Sequence, residues 1–207
     1  MNSLLIRITA STLTCALFIV GLHPVSTGAA AHDAQHGNTA QRSEVRIPIR
    51  NFSLTDQSGR QFKLDSIKGK IIIADFAYTT CPDVCPLMTA ALRTVQTNLS
   101  AAERKRVYLL TVTTDPEVDI PKVLAAYARR YHADLSNWAF LTGDESSLAR
   151  VWNNFGVKVT RRARGLVDHT ALTAVIDQSR AMRFAYHGAA PDPKFMVQDI
   201  RALLARP

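Results

Sequence analysis

The chain has 207 residues, of which 47% are hydrophobic and 20% are charged, so it is long enough for one domain with a full core and too short for two. Its formal net charge of +8 comes with no nucleic-acid recognition motif. Together with an export signal at the amino terminus, this excludes nucleic acid as the expected partner.

Residues 1–31 are typical of a secretory signal peptide. Arg7 is the only charge ahead of an apolar run from Ile8 to Leu22, and small residues suited to cleavage follow. The alternative is an uncleaved anchor, although the run of about 15 residues is shorter than the roughly 20 that a bilayer-spanning helix needs. We therefore expect an exported, periplasmic or otherwise extracytoplasmic protein, held at the membrane if the segment stays uncut.

A polar stretch over 32–46 has few large apolar side chains and predicts a flexible tether, which leaves 47–207 as the folded domain. Cleavage of the signal would also remove Cys15. Cys81 and Cys85 would then be the only cysteines of the mature protein. Because exported proteins can keep disulfides, these two are candidates for pairing at rest.

The domain begins with a hairpin pattern around 52–64, followed by a β-branched run over 71–76 that suits a buried central strand. Further segments alternate in type: helix 87–99, strand 107–112, helix 121–131 capped by Asp119, strand 140–142, helix 145–155 ended by Gly156, strands 171–176 and 182–186, and helix 192–205. This order predicts an α/β protein of thioredoxin-like fold, with a central mixed sheet flanked by helices and an N-terminal β-hairpin.

Two thiols stand four positions apart in Cys81-Pro82-Asp83-Val84-Cys85-Pro86, just after the predicted central strand. Pro86 suits the first turn of a helix, so we expect the partial positive charge of a helix start to favour the thiolate of Cys85. As a structural staple the pair is weak, because closing so short a loop stabilises by only about 2 kcal/mol. The spacing favours a redox-active pair or a metal site.

His169 is the candidate third group. A dithiol oxidoreductase of thioredoxin type has two residues between its cysteines and a cis-proline before the next strand, whereas this chain has three residues between and no proline from Lys122 to Ala190. His169 stands where that proline would be, in a loop expected to face the cysteines. Two thiolates and an imidazole suit Cu(I) and Cu(II), and the same set can also hold zinc, so ligand type alone leaves the metal open.

Three blocks of sequence carry a family resemblance from about Phe52 to the carboxyl terminus: Tyr78 to Pro86, Thr114 to Pro121, and Val167 to Thr170. In order and approximate spacing they resemble the Sco/SenC family of copper chaperones for cytochrome c oxidase assembly. The resemblance implies that Cys81, Cys85 and His169 bind one copper ion for the dinuclear copper centre of the oxidase.

The resemblance also places three aspartates near the copper. Asp168 would orient His169 or form a turn, and Asp115 and Asp119 would act near the metal or order a loop and cap a helix. The implied partners are the copper-bearing oxidase subunit or another copper chaperone, together with a thiol reductant. The basic stretch 158–165 could dock an acidic surface or an anionic membrane face, or be a solvated loop.

An alternative function uses the same pair of cysteines. The protein could be an enzyme, a thiol-disulfide oxidoreductase that keeps the cysteines of the oxidase reduced, with copper incidental. The dithiol supports both functions, whereas His169 is needed mainly for the metallochaperone.

Overall fold

The computed structural model describes residues 40–188 and 190–206. The predicted signal segment and the tether before residue 40 lie outside the described residues. The strands are β1 (Gln41–Pro48), β2 (Ser53–Asp56), β3 (Gln61–Lys63), β4 (Ile71–Ala77), β5 (Val107–Thr113), β6 (Trp138–Thr142), β7 (Val159–Arg161), β8 (Val167–His169), β9 (Leu172–Ile176) and β10 (Ala181–His187). The helices are α1 (Val84–Asn98), α2 (Ala101–Arg106), α3 (Pro121–Arg130), α4 (Glu145–Phe155) and α5 (Pro193–Leu204).

The main sheet is mixed, in the order β1-β10-β9-β4-β5-β6-β2-β3. Strands β4, β5 and β6 are parallel, and β9 pairs with β4 in the antiparallel sense. Every residue of β4 is buried, because helices cover both of its faces. One core cluster contains side chains of α4 and the other contains side chains of α1, α3 and α5. The predicted α/β class and mixed sheet are confirmed.

The sheet places the cysteines at the carboxyl ends of its parallel strands. β4 ends opposite the end of β5, with Ala77 paired to Thr113, and the chain then enters the cysteine loop, residues 78–83, and α1. In open α/β sheets this edge is where reactive groups gather. The N-terminal hairpin also forms as predicted, with β2 and β3 antiparallel and Gly59 at φ +79° in its turn.

The predicted tether is wrong from Gln41 onward. Residues Gln41–Pro48 form the edge strand β1, which pairs antiparallel with β10. Strand pairing uses backbone groups, so a polar edge strand with exposed side chains can form without an apolar pattern. Arg42 adds a bidentate pair to Asp199 of α5, at 2.7 and 2.8 Å, and its guanidinium lies over the ring of Phe184.

Strands β7 and β8 form a separate two-stranded sheet, outside the main one, that carries His169. We call residues 159–169 the histidine hairpin.

Across residues 40–188 and 190–206, none of the helices has both the length and the apolar character required to cross a bilayer.

Candidate metal centre

The two thiols lie between the end of β4 and the first turn of α1. Cys81 is 9% exposed and Cys85 is fully buried, in a small cluster with Ala77, Tyr78 and Val167. The backbone N–H of Cys81 donates to the carbonyl of Tyr78 at 3.2 Å, which turns the chain towards the helix. Cys81 and Cys85 are both free, with no disulfide between them.

The hydrogen bonds around the two sulfurs favour the thiolate on Cys81, whereas the position of the helix start predicted it on Cys85. The Cys85 thiol donates to the Cys81 sulfur, which lowers the pKa of Cys81 to about 5. The same hydrogen bond, together with burial, raises the pKa of Cys85 above its usual range. The backbone N–H groups of Asp83 and Cys85 also favour the Cys81 thiolate. The backbone N–H groups at the start of α1 thus favour a thiolate on Cys81, and the prediction that named Cys85 is wrong.

His169 lies close to Cys85 although 84 positions of chain separate them. The distance from Nε2 of His169 to Sγ of Cys85 is 3.7 Å. Its Nδ1 lies 3.1 Å from the carbonyl oxygen of Thr170. Because a carbonyl can only accept, Nδ1 carries the proton and Nε2 presents its lone pair to the sulfurs. Burial lowers the pKa of His169, so the ring is neutral and free to bind a metal.

The donor types suit one shared ion. Cys81 and Cys85 would supply two sulfurs and His169 a nitrogen, a set that holds Cu(I) and also accepts Cu(II). Within the part of the chain that the structure describes, no three His, Cys, Asp or Glu side chains are already gathered around a metal-sized space. Binding through both sulfurs and Nε2 would therefore require these side chains to move closer together.

Asp119 lies beside the cysteine loop but is not the helix cap that its position suggested. The residue before α3 is Ile120, and no side chain caps that helix. The fully buried carboxylate of Asp119 instead accepts from Thr79, through its backbone N–H at 3.1 Å and its hydroxyl, and from the hydroxyl of Thr113 at 2.6 Å. Asp119 thus ties the cysteine loop to the end of β5.

Asp115 and Asp168 each pair with an arginine of the histidine hairpin. Arg161 donates to the fully buried Asp115 at 2.8 Å, and Arg162 donates to Asp168 at 2.6 Å on the surface. The predicted role of Asp168 in orienting His169 is not what the structure shows, because the carbonyl of Thr170 holds Nδ1. Asp115 orders a loop, which was one of its two predicted roles.

Two residues that contribute to the site were missed at the sequence level. Tyr78 packs edge-on against the ring of His169, with centroids 5.9 Å apart, and its hydroxyl helps to lower the pKa of Cys81. Arg161 joins the histidine hairpin to Asp115, 46 positions away. The place of Tyr78 three residues before Cys81 could have indicated its role, whereas no local pattern indicates the pairing of Arg161.

Comparisons with known proteins agree on one family. A sequence model described as SCO1/SenC matches residues 40–205. The SCO1 protein homolog of Bacillus subtilis is 35% identical over 111 residues, which is 54% of this chain and 57% of that protein. The chain thus spans little more than half the length of this relative.

Solved structures show the same likeness over nearly their whole length. A SCO1/SenC family lipoprotein from Bacillus anthracis str. Ames has a TM-score of 0.71 at 30% identity, covering 80% of this chain and 99% of that one. ScoI of Bradyrhizobium japonicum, with copper bound, has a TM-score of 0.60 at 28% identity, covering 76% and 99%. These likenesses confirm the predicted thioredoxin-like fold.

Proposed function

The chain belongs to the SCO1/SenC family, and we propose that it is a copper metallochaperone which binds one copper ion through Cys81, Cys85 and His169. One observation carries the proposal: the lone pair of a neutral imidazole faces a buried sulfur at 3.7 Å, across 84 positions of chain. A structural histidine would need no such placement beside two reduced thiols. The copper-bound ScoI relative supports copper as the ion.

The ligand set suits an ion that changes oxidation state. Two sulfurs hold Cu(I), and the imidazole adds a nitrogen that favours Cu(II). Cys81 is already a thiolate at neutral pH, because its pKa is lowered to about 5. Cys85 keeps its proton until a metal displaces it, so copper binding releases that proton.

We extend the proposal to the destination of the copper, the partner proteins and the location of the protein. The cargo is destined for the dinuclear copper centre of cytochrome c oxidase, and the partners are its copper-bearing subunit or another copper chaperone, with a thiol reductant. The signal-like segment 1–31 supports an exported, periplasmic location, with or without a retained anchor.

Metal analysis of the protein reduced under anaerobic conditions tests this function. We expect one tightly held copper ion per chain, and none in a variant with Cys81→Ser and Cys85→Ser, because serine oxygen binds Cu(I) poorly. Far-UV circular dichroism of the variant checks that the fold is kept. A double variant that retained stoichiometric copper would contradict the proposed site.

A second candidate function is favoured by the thiols themselves. A Cys81 thiolate backed by a buried Cys85 is arranged for thiol-disulfide exchange. Cys81 attacks one sulfur of a client disulfide, which breaks the S–S bond, releases the other sulfur as a thiolate and leaves a mixed disulfide. Cys85 then loses its proton, attacks Cys81, displaces the second client thiolate and closes the Cys81–Cys85 disulfide. Reduction of a small disulfide reagent, compared between wild type and His169→Ala, separates the two. The oxidoreductase predicts unchanged disulfide reduction in a variant whose copper binding is impaired.

A further inference from the structure

We propose that Arg161 is a positioning residue for His169, holding the histidine hairpin against the same turn that holds the cysteine loop. We call residues 114–119 the coupling turn. This inference rests on the proposed copper function, because it concerns the distance between the imidazole and the sulfurs. Arg161 would thereby connect the hairpin that carries the imidazole to the loop that carries the Cys81 sulfur.

The histidine hairpin has little backbone attachment of its own. Its strands pair with each other, Val159 opposite His169 and Arg161 opposite Val167, and not with the main sheet. At its base the backbone groups of Lys158 meet Thr170, through hydrogen bonds of 3.0 and 3.1 Å. The register of the hairpin over the cysteines therefore depends on side chains.

Arg161 supplies the charged part of that attachment, beside the contact of the Tyr78 hydroxyl with the backbone of Val167. One end of its guanidinium donates to Oδ1 of Asp115 at 2.8 Å, and the other lies 3.0 Å from Oε2 of Glu117. A planar guanidinium can hold two carboxylates at fixed angles, which a lysine cannot. Both carboxylates belong to the coupling turn.

The carboxylate of Asp115 makes this contact strong. Asp115 is fully buried, and among the side chains that the structure describes its Oδ2 has no hydrogen-bond partner. A buried charge is costly unless it is paired. Removing Arg161 leaves that charge without its guanidinium, so the turn and the hairpin must rearrange.

The same turn continues to the cysteines. The backbone N–H of Asp119 donates to the carbonyl of Asp115 at 2.9 Å, and the carboxylate of Asp119 accepts from the backbone N–H of Thr79. Thr79 lies two residues before Cys81. A continuous set of contacts thus runs from the strand of His169 through Arg161 and the coupling turn to the thiolate.

Arg162 provides a matched control. It is the next residue of the same hairpin, and its partner Asp168 is 62% exposed where Asp115 is fully buried. Exposed ion pairs contribute little to stability, because water screens both charges. Replacing either arginine by methionine removes the same charge from the same hairpin. Only Arg161→Met leaves a buried carboxylate, that of Asp115, without its ion-pair partner.

The experiment compares Arg161→Met and Arg162→Met for Cu(II) and Cu(I) affinity in the full chain. We expect Arg161→Met to weaken Cu(II) about 10–100-fold, the usual effect of removing support for a metal ligand, and to leave Cu(I) unchanged on its two sulfurs. Electron paramagnetic resonance should show the nitrogen coupling of Cu(II) weakened. Arg161→Lys should recover part of the Cu(II) affinity, since it keeps one of the two contacts.

A metal-free measurement separates this inference from the proposed function. Amide hydrogen exchange of the reduced apoprotein should be faster at residues 159–169 in Arg161→Met than in Arg162→Met, with β4 and β5 unchanged. A wild type that binds no copper would end the proposed function. Equal exchange in the two variants, or equal weakening of Cu(I) and Cu(II) in Arg161→Met, would overturn the role of Arg161.

Discussion

The cysteine loop, residues 78–83, and the histidine hairpin reach the same centre from opposite structural situations. The loop continues directly from β4, which is bonded to β5 on one edge and β9 on the other, and it runs into the first turn of α1. The hairpin pairs only with itself, in a two-stranded sheet. The sulfur half of the centre is therefore supported by the main sheet, and the nitrogen half by side-chain contacts.

This difference matches the chemistry of the proposed cargo. In the proposed site, Cu(I) would be held by the well-supported sulfurs, whereas Cu(II) would also need the nitrogen on the less supported hairpin. The two oxidation states should therefore respond differently to changes in the two regions.

The largest expected effect is on the support of the cysteine loop. Asp119→Ala would leave three donors unpaired, the N–H and hydroxyl of the half-buried Thr79 and the hydroxyl of the fully buried Thr113, and should lower the free energy of unfolding by about 3 kcal/mol. Urea denaturation measures this. The control Asp168→Ala, at an exposed carboxylate, should change stability by less than about 0.5 kcal/mol. Similar losses in both variants would remove the distinction between the two regions.

His169→Ala tests the nitrogen half. We expect Cu(II) affinity to fall by at least about 100-fold, because a ligand itself is lost. Loss of a residue that only hydrogen-bonds to a metal ligand weakens metal affinity by about 10–100-fold. Cu(I) should be affected much less, since both sulfurs remain. Competition titrations with a chelator for each oxidation state provide the measurement. A parallel loss of both would count against His169 as the ligand specific to Cu(II).

The stability of the fold should depend on pH through Asp75, a fully buried residue of β4. Burial raises the pKa of Asp75 from 3.8 to about 7, so the folded state holds a proton that the unfolded state has lost. Its contribution to stability is full below pH 3.8 and is lost as pH rises to about 7, at about 1.4 kcal/mol per pH unit.

Asp75→Asn should remove this slope relative to wild type, and Asp168→Asn should keep it. Unfolding free energies at pH 5 and pH 6 are sufficient to test it. Wild-type stability that fell no faster than that of Asp75→Asn would show that Asp75 is ionised in the fold.

The smallest expected effect concerns the alkylation rate of Cys81, which should not change around neutral pH. Because the pKa of Cys81 is lowered to about 5, its alkylation rate by iodoacetamide should be flat between about pH 6 and pH 8 and fall about tenfold per pH unit below its pKa. Peptide mapping should find the label on Cys81, since Cys85 is fully buried and keeps its proton. A rate that climbs between about pH 7 and pH 9 would identify an ordinary thiol.

Much of the fold could be predicted because its signals are local. The apolar run at Ile71–Ala77 and the glycine that ends α4 mark their elements within a few residues. β1 could not be predicted this way, because an edge strand pairs through its backbone and its polar side chains resemble those of a tether. Where a segment is bonded by a distant partner, composition alone is a poor guide.

By itself, the sequence determined that two thiols stand four positions apart after a buried strand, because neighbours in the chain remain neighbours in the fold. It also placed His169 in the loop expected to face them. Only the tertiary structure decided which sulfur is ionised, that Asp119 holds Thr79 and caps no helix, and that Arg161 reaches a buried carboxylate. These outcomes depend on hydrogen bonds and burial between residues far apart in the chain, and no local pattern encodes such contacts.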